Sequence, residues 1–203
     1  MPEQLIDISA WPLDDLARQW RAAKPFPHLV IDGFLAPGAL TLLRAAFEWE
    51  QHWPLQDDIF TFLASADTPT QPVLRQFGEE LGAERVRGAI TRISGLPLSS
   101  ADVRGYVYLP GHYLLPHTDC RATERRAVAY VYYLDQKKPL RGGELELFSC
   151  KVRGETVTSA KPALRIAPKP NRLVLFAVDF GSLHQVREVL SGARLSLAGW
   201  FRA

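Results

Sequence analysis

Residues that crosslink a chain or carry it through a membrane are scarce in this sequence. Two cysteines, Cys120 and Cys150, stand among 203 residues, too few for a disulfide framework and in keeping with a reducing compartment. Cys120 is expected to be a small buried residue without a chemical role. No stretch approaches the ~20 apolar residues that a bilayer-spanning helix needs. The opening Met1-Pro2-Glu3-Gln4-Leu5-Ile6-Asp7 lacks the basic and then apolar order of an export signal. We therefore expect a cytoplasmic protein with no membrane partner. Excess charge is also missing, since 24 Lys+Arg against 22 Asp+Glu leave a formal +2, which offers no electrostatic case for nucleic acid as a partner. Repeats, low-complexity tracts and charge blocks are absent.

The chain does have the apolar content of a soluble globular protein, 47% hydrophobic with 23% charged. Its length suits one core that buries on the order of 70% of the unfolded surface. Residues 1–203 are expected to form a single domain. Helical patterns come first. Leu13 to Ala23 reads as a short helix and Pro37 to Glu50 as a longer one, with proline in its first turn and Leu40, Leu43 and Phe47 on one stripe. Leu29-Val30-Ile31 suggests a strand between them. Gln51 to Thr70 shows no clear period and is expected to be an irregular loop, the kind of segment that shapes substrate pockets. Helices over Pro72 to Leu81 and Ala83 to Ile93 precede the break at Gly95-Leu96-Pro97.

Strand patterns then take over: Asp102 to Leu109, Ala127 to Leu134, Glu144 to Phe148, Ala163 to Ala167, Leu173 to Val178, His184 to Val189 and Ala193 to Phe201. Helices followed by many short antiparallel strands predict an α+β, mainly β fold, a sandwich or squashed barrel with helices packed outside.

His117-Thr118-Asp119 is the first candidate for chemistry. Residues i and i+2 of an extended strand share a face, so one strand end can offer an imidazole and a carboxylate to one ion. By itself such a triplet is more often a solvated or turn-bound pair. A third ligand is available in His184, expected on a loop after the apolar run Leu173 to Val178. Two imidazoles and one carboxylate on one side of a metal leave the opposite positions open, as in non-heme iron(II) oxygenases. Alternation also places Arg194 and Ser196 on one face of the last strand. If a hairpin closes through Leu190-Ser191-Gly192, Arg194 lies opposite an inward Glu188, with roughly 13 Å between its backbone and that of His184. Read without further context, Arg194 is a surface strand residue. His28, His52 and His112 match no ligand spacing, and Trp200 reads as packing.

The order of Tyr108-Leu-Pro-Gly111, His117-Thr-Asp119, Gly142-Gly143-Glu144-Leu145-Glu146-Leu147 and the run from His184 through Arg194 to Trp200-Phe201 resembles the iron(II)/2-oxoglutarate dioxygenases, in their prolyl 4-hydroxylase-like branch. The likeness is dense from Tyr106 to Arg202 and fainter over Pro25 to Leu35. It implies a double-stranded β-helix, or jelly roll. It also implies iron(II) on His117, Asp119 and His184, with 2-oxoglutarate and O2 as cosubstrates and ascorbate as an accessory reductant. Arg194 would hold the distal carboxylate of 2-oxoglutarate, with Tyr133, Tyr108 and Ser196 beside it. A planar guanidinium suits that task because it donates two parallel hydrogen bonds. Asp119 is the carboxylate that the related halogenases lack, so hydroxylation is implied.

The leading functional expectation is a hydroxylase of a prolyl residue in a protein or peptide. A biosynthetic hydroxylase of a free amino acid, as a small-molecule substrate, or of a natural-product peptide is a second, and a noncatalytic jelly roll that senses iron and 2-oxoglutarate a third. Arg104, Tyr106, Arg121, Arg126 and the Gln51 to Thr70 segment are the candidates for reading substrate.

Overall fold

Proline and glycine punctuate the chain into short elements, and the computed structural model describes them over residues 4–121, 123–134 and 139–203. In chain order they are α1 Leu13–Ala22, β1 His28–Asp32, α2 Pro37–Trp49, β2 Trp53–Asp57, β3 Phe60–Ala64, α3 Pro72–Gly82, α4 Glu84–Ser94, β4 Ser100–Ala101 and β5 Arg104–Tyr108. There follow β6 Tyr113–His117, β7 Arg126–Tyr133, β8 Arg141–Gly142, β9 Leu145–Arg153, β10 Thr156–Ile166, β11 Arg172–Ala177, β12 His184–Val186, β13 Val189–Ser191 and β14 Arg194–Arg202. Pro37 and Pro72 each open a helix, where the missing N–H is no loss. Gly95 closes α4 in the left-handed conformation at φ 74°.

The strands join in the order β1-β11-β7-β14-β5-β3-β6-β12-β9-β10, all pairings antiparallel. The sheet curls on itself into a jelly roll. β7 explains why its sequence is apolar without alternation, because both of its faces are covered. Val128, Tyr130 and Tyr132 meet the helices together with Leu43, Leu74, Phe77 and Ile90. Ala129, Val131 and Tyr133 face the interior with Leu145, Leu147, Val174 and Phe176. β14 divides in the same way, with Leu197 and Phe201 toward the helices.

Three expectations are corrected. Residues 53–64 are not part of an irregular loop, although 65–70 are, since β2 and β3 form a hairpin whose second strand pairs with both β5 and β6. Proline and two aspartates obscure its alternation, and the pairing comes from distant strands. β9 and β10 run further than their apolar stretches, as a ribbon exposed over most of its outer length and held by ladder hydrogen bonds rather than burial. The expected terminal hairpin does not form. β12 lies between β6 and β9, β13 pairs with β8, and β14 lies between β5 and β7. Gly192 is left-handed at φ 81° as the turn required, yet it sends β14 across the interior. Glu188 is consequently exposed, not inward.

Candidate metal and cosubstrate site

Adjacent strands bring the ligands together. β6 ends on His117 and β12 begins on His184, at the start of the expected His184 to Val189 strand and not on the loop before it, and the two histidines are direct partners in the register. Side chains so opposed share a face at close range, and the two rings lie 4.3 Å apart between centroids. Asp119 follows two residues later on the same side. Its Oδ1 is 3.7 Å from His117 Nε2 and its Oδ2 is 3.6 Å from His184 Nε2. One donor atom of each residue lies within 4.8 Å of the others. Among the described residues no other trio of His, Cys, Asp or Glu meets in this way.

The rings are aimed by backbone. His117 Nδ1 is 2.9 Å from the Leu115 carbonyl, and His184 Nδ1 is 2.9 Å from the Ser182 carbonyl. With Nδ1–H donating to those oxygens, the Nε2 lone pairs are left for a metal. Burial, reinforced by the neighbouring His184, pushes the His117 pKa down to about 4. The imidazole is therefore neutral near pH 7, which is the ligating form. Two nitrogens and a carboxylate of this reach fit a divalent ion of the iron(II) kind.

A cavity of about 250 Å³ opens from the ligands and has Arg194 and Ser196 on its wall. Arg194 is 3% exposed. Its guanidinium donates to Ser196 Oγ at 3.2 Å and reaches the Tyr133 hydroxyl at 3.5 Å. The Tyr108 and Tyr133 rings lie 4.9 and 5.0 Å from its Cζ. No ion pair joins it to a carboxylate among the described residues, and Nε is buried without a partner. A buried cation left this way is costly unless an anion joins it. The geometry fits a carboxylate guest. Tyr108 and Ser196 line the cavity, whereas Tyr133 stands behind Arg194 and touches it without forming part of the wall.

The Gly142-Gly143 pair in the sequence acquires a reason here. Both residues have φ above 70°. A Cβ on Gly143 would come within 3.2 Å of Arg194 Cδ, and one on Gly142 within 2.1 Å of the Glu188 carbonyl. Glycine allows the backbone to cover the guanidinium.

The substrate side is mixed. Tyr106, Arg121 and Arg126 line the cavity, but Arg104 turns away to the Ser65 carbonyl and Asp67. Burial, the largest influence on Tyr106, pushes its phenol up to about 12, so it is a neutral hydrogen-bonding group. Ile59, Phe60 and Phe62, within the Gln51 to Thr70 segment expected to read substrate, complete an apolar wall with Leu114, which the sequence reading did not identify. The alternation in Phe60-Thr61-Phe62 was the available signal. His28, His52 and His112 are all away from the cavity, and Trp200 is on its wall. Cys120 and Cys150 are half-buried free thiols.

Residues 103–202 match the model of the 2OG-Fe(II) oxygenase superfamily. The prolyl 3-hydroxylase OGFOD1 of Xenopus laevis is 30% identical over 189 residues, covering 87% of this chain and 35% of that protein. The chain thus spans about a third of the length of the curated relatives it matches. Among solved structures, a Pseudomonas putida prolyl-4-hydroxylase superposes with TM-score 0.68 at 25% identity, covering 94% of this chain and 96% of that one. A Trichoplax adhaerens prolyl hydroxylase in complex with a peptide fragment of the hypoxia inducible factor oxygen degradation domain superposes with TM-score 0.68 at 16% identity, covering 95% and 93% of the two chains. That last likeness concerns the fold.

Proposed function

Because the chain belongs, through residues 103–202, to the 2OG-Fe(II) oxygenase superfamily, we propose that residues 1–203 act as one domain that hydroxylates a prolyl residue of a protein or peptide. The observation that carries this reading is the three-ligand group and a buried guanidinium without a counter-ion among the described residues, on the wall of one cavity. Its support for proline comes from relatives with prolyl hydroxylase names and from a structural neighbour solved with a peptide.

His117, Asp119 and His184 would hold iron(II) from one side, leaving its other positions to cosubstrate. Arg194 and Ser196 would hold the distal carboxylate of 2-oxoglutarate, with Tyr133 bracing the guanidinium and Tyr108 covering it. When bound, iron, O2 and 2-oxoglutarate together supply oxidative decarboxylation to succinate and CO2 and the oxidising equivalent for a C–H bond. This chain contributes position and exclusion of water. Phe60, Phe62, Leu114 and Trp200 form an apolar surround for a prolyl ring, and the neutral Tyr106 phenol can donate a hydrogen bond to a main-chain carbonyl of the substrate.

Anaerobic titration of the iron(II) protein with 2-oxoglutarate should raise the visible charge-transfer band of the chelate, and His184→Ala should abolish it. Succinate release should then rise with prolyl peptides, and analysis of the product ring assigns the hydroxylated carbon. Turnover with free L-proline or another small amino acid but no peptide would favour the biosynthetic reading. Chelate formation without succinate under any substrate would favour a sensor.

A further inference from the structure

The three ligands are not held alike. His117 and His184 are each fixed twice, by a paired strand and by an Nδ1 hydrogen bond to a main-chain carbonyl. Asp119 lies beyond the end of β6, outside the ladder. Apart from the two imidazoles, the charged group facing its carboxylate among the described residues is Arg126, whose Nη1 is 3.8 Å from Oδ1 and 3.5 Å from the Asp119 carbonyl. Arg126 is itself immobilised. Its guanidinium carbon lies 3.5 Å from the centroid of the Trp200 ring, its Nη2 pairs with Glu124, and its side chain is only 15% exposed.

Glu124 is anchored in turn by Arg202, whose Nη1 donates to the Glu124 carbonyl at 2.8 Å and approaches its carboxylate at 3.9 Å. Arg202 pairs with Asp102, which accepts a hydrogen bond from the Trp200 main-chain N–H at 2.9 Å. Five side chains of alternating sign, Asp102, Arg202, Glu124, Arg126 and Asp119, thus run from the end of β14 to the metal carboxylate. We infer that Arg126 is a positioning residue for Asp119: clamped between Trp200 and Glu124, it orients the one ligand that the sheet does not hold. This rests on the metal site described above.

Charge decides the expected sign. A lone guanidinium beside a divalent ion would weaken metal binding, so its removal would tighten it. Here Glu124 already balances Arg126, and loss of orientation dominates. Neighbours that aim a ligand typically contribute about 10- to 100-fold in metal affinity.

Cobalt(II), followed by its d–d absorption, is the probe, and it needs neither cosubstrate nor substrate. Arg126→Gln should weaken cobalt affinity about 10-fold or more and alter the band, with the unfolding midpoint of the metal-free protein held within a few degrees. Arg126→Lys keeps the charge but cannot span both carboxylates and stack on Trp200, so it should not restore affinity. Glu124→Gln, a milder change, should loosen cobalt in the same direction. Unchanged cobalt affinity in Arg126→Gln, full rescue by lysine, or an affinity loss matched by collapse of metal-free stability would each overturn the assignment. Failure of the unaltered protein to bind cobalt would instead overturn the metal site itself.

Discussion

Arg194 is the residue at which burial and charge most directly imply a ligand. Its guanidinium is enclosed, stacked by two tyrosines and hydrogen-bonded by one serine hydroxyl, with no carboxylate beside it among the described residues. Arg194→Ala should therefore weaken 2-oxoglutarate at least tenfold, read from the titration of the chelate band, while iron binding to the three ligands persists. Loss of iron in that variant would contradict the division of labour. Gly143→Ala tests the same group from the other side. A methyl at φ 73° both strains the backbone and meets the Arg194 side chain at 3.2 Å, so cosubstrate affinity should fall although no ligand has been altered. Direct calorimetric titration of 2-oxoglutarate into the metal-loaded variant measures it.

At the scale of elements, the turn before β11 and the segment after β1 are joined by a single side chain. Asn171 accepts from the Leu35 N–H at 2.8 Å and from the Tyr132 hydroxyl at 3.0 Å, and donates to the Leu35 carbonyl at 2.7 Å. Its φ of 57° is one that asparagine tolerates better than most residues. Replacing it with alanine leaves three buried polar groups without their partner. Stability should fall by about 2 to 4 kcal/mol, measured by urea unfolding of the metal-free protein. A change under about 0.5 kcal/mol would show that water replaces the amide. The β2–β3 hairpin belongs to this scale as well. Its tip carries Ile59, which is 43% exposed on the cavity wall. Ile59→Ala should raise the KM for a peptide substrate and leave the chelate band unchanged.

For the whole molecule, acid is the informative stress. Arg172 donates from Nε and Nη2 to the two oxygens of Asp32, at 2.6 and 2.8 Å, tying the edge strand β1 to β11. That hydrogen bonding holds the Asp32 carboxyl below its ordinary value of 3.8. A folded pKa below the unfolded one means that the unfolded chain takes up the proton first. The stabilisation is full above the ordinary value and is lost as pH falls through the folded value. Asp32→Asn should thus be less stable than the natural chain near neutrality, and the gap should close below about pH 3.8. A gap that persists unchanged at lower pH would locate the effect in packing.

The sequence by itself determined the local patterns and the chemistry they could carry. Proline-opened helices, the fully covered β7, the alternation of Arg194 and Ser196, and the His-x-Asp pair follow from side-chain period and backbone preference, which act within a few residues. Tertiary structure alone decided what meets what. It paired His184 with His117 across two strands, sent β14 through the interior in place of a hairpin, and thereby exposed Glu188 and enclosed Arg194. It also drew β2 and β3 out of a segment whose short alternation proline and aspartate obscure, and clamped Arg126 beside Asp119. These outcomes depend on contacts between residues far apart in the chain, and no local propensity encodes which of several equally apolar strands will lie next to which.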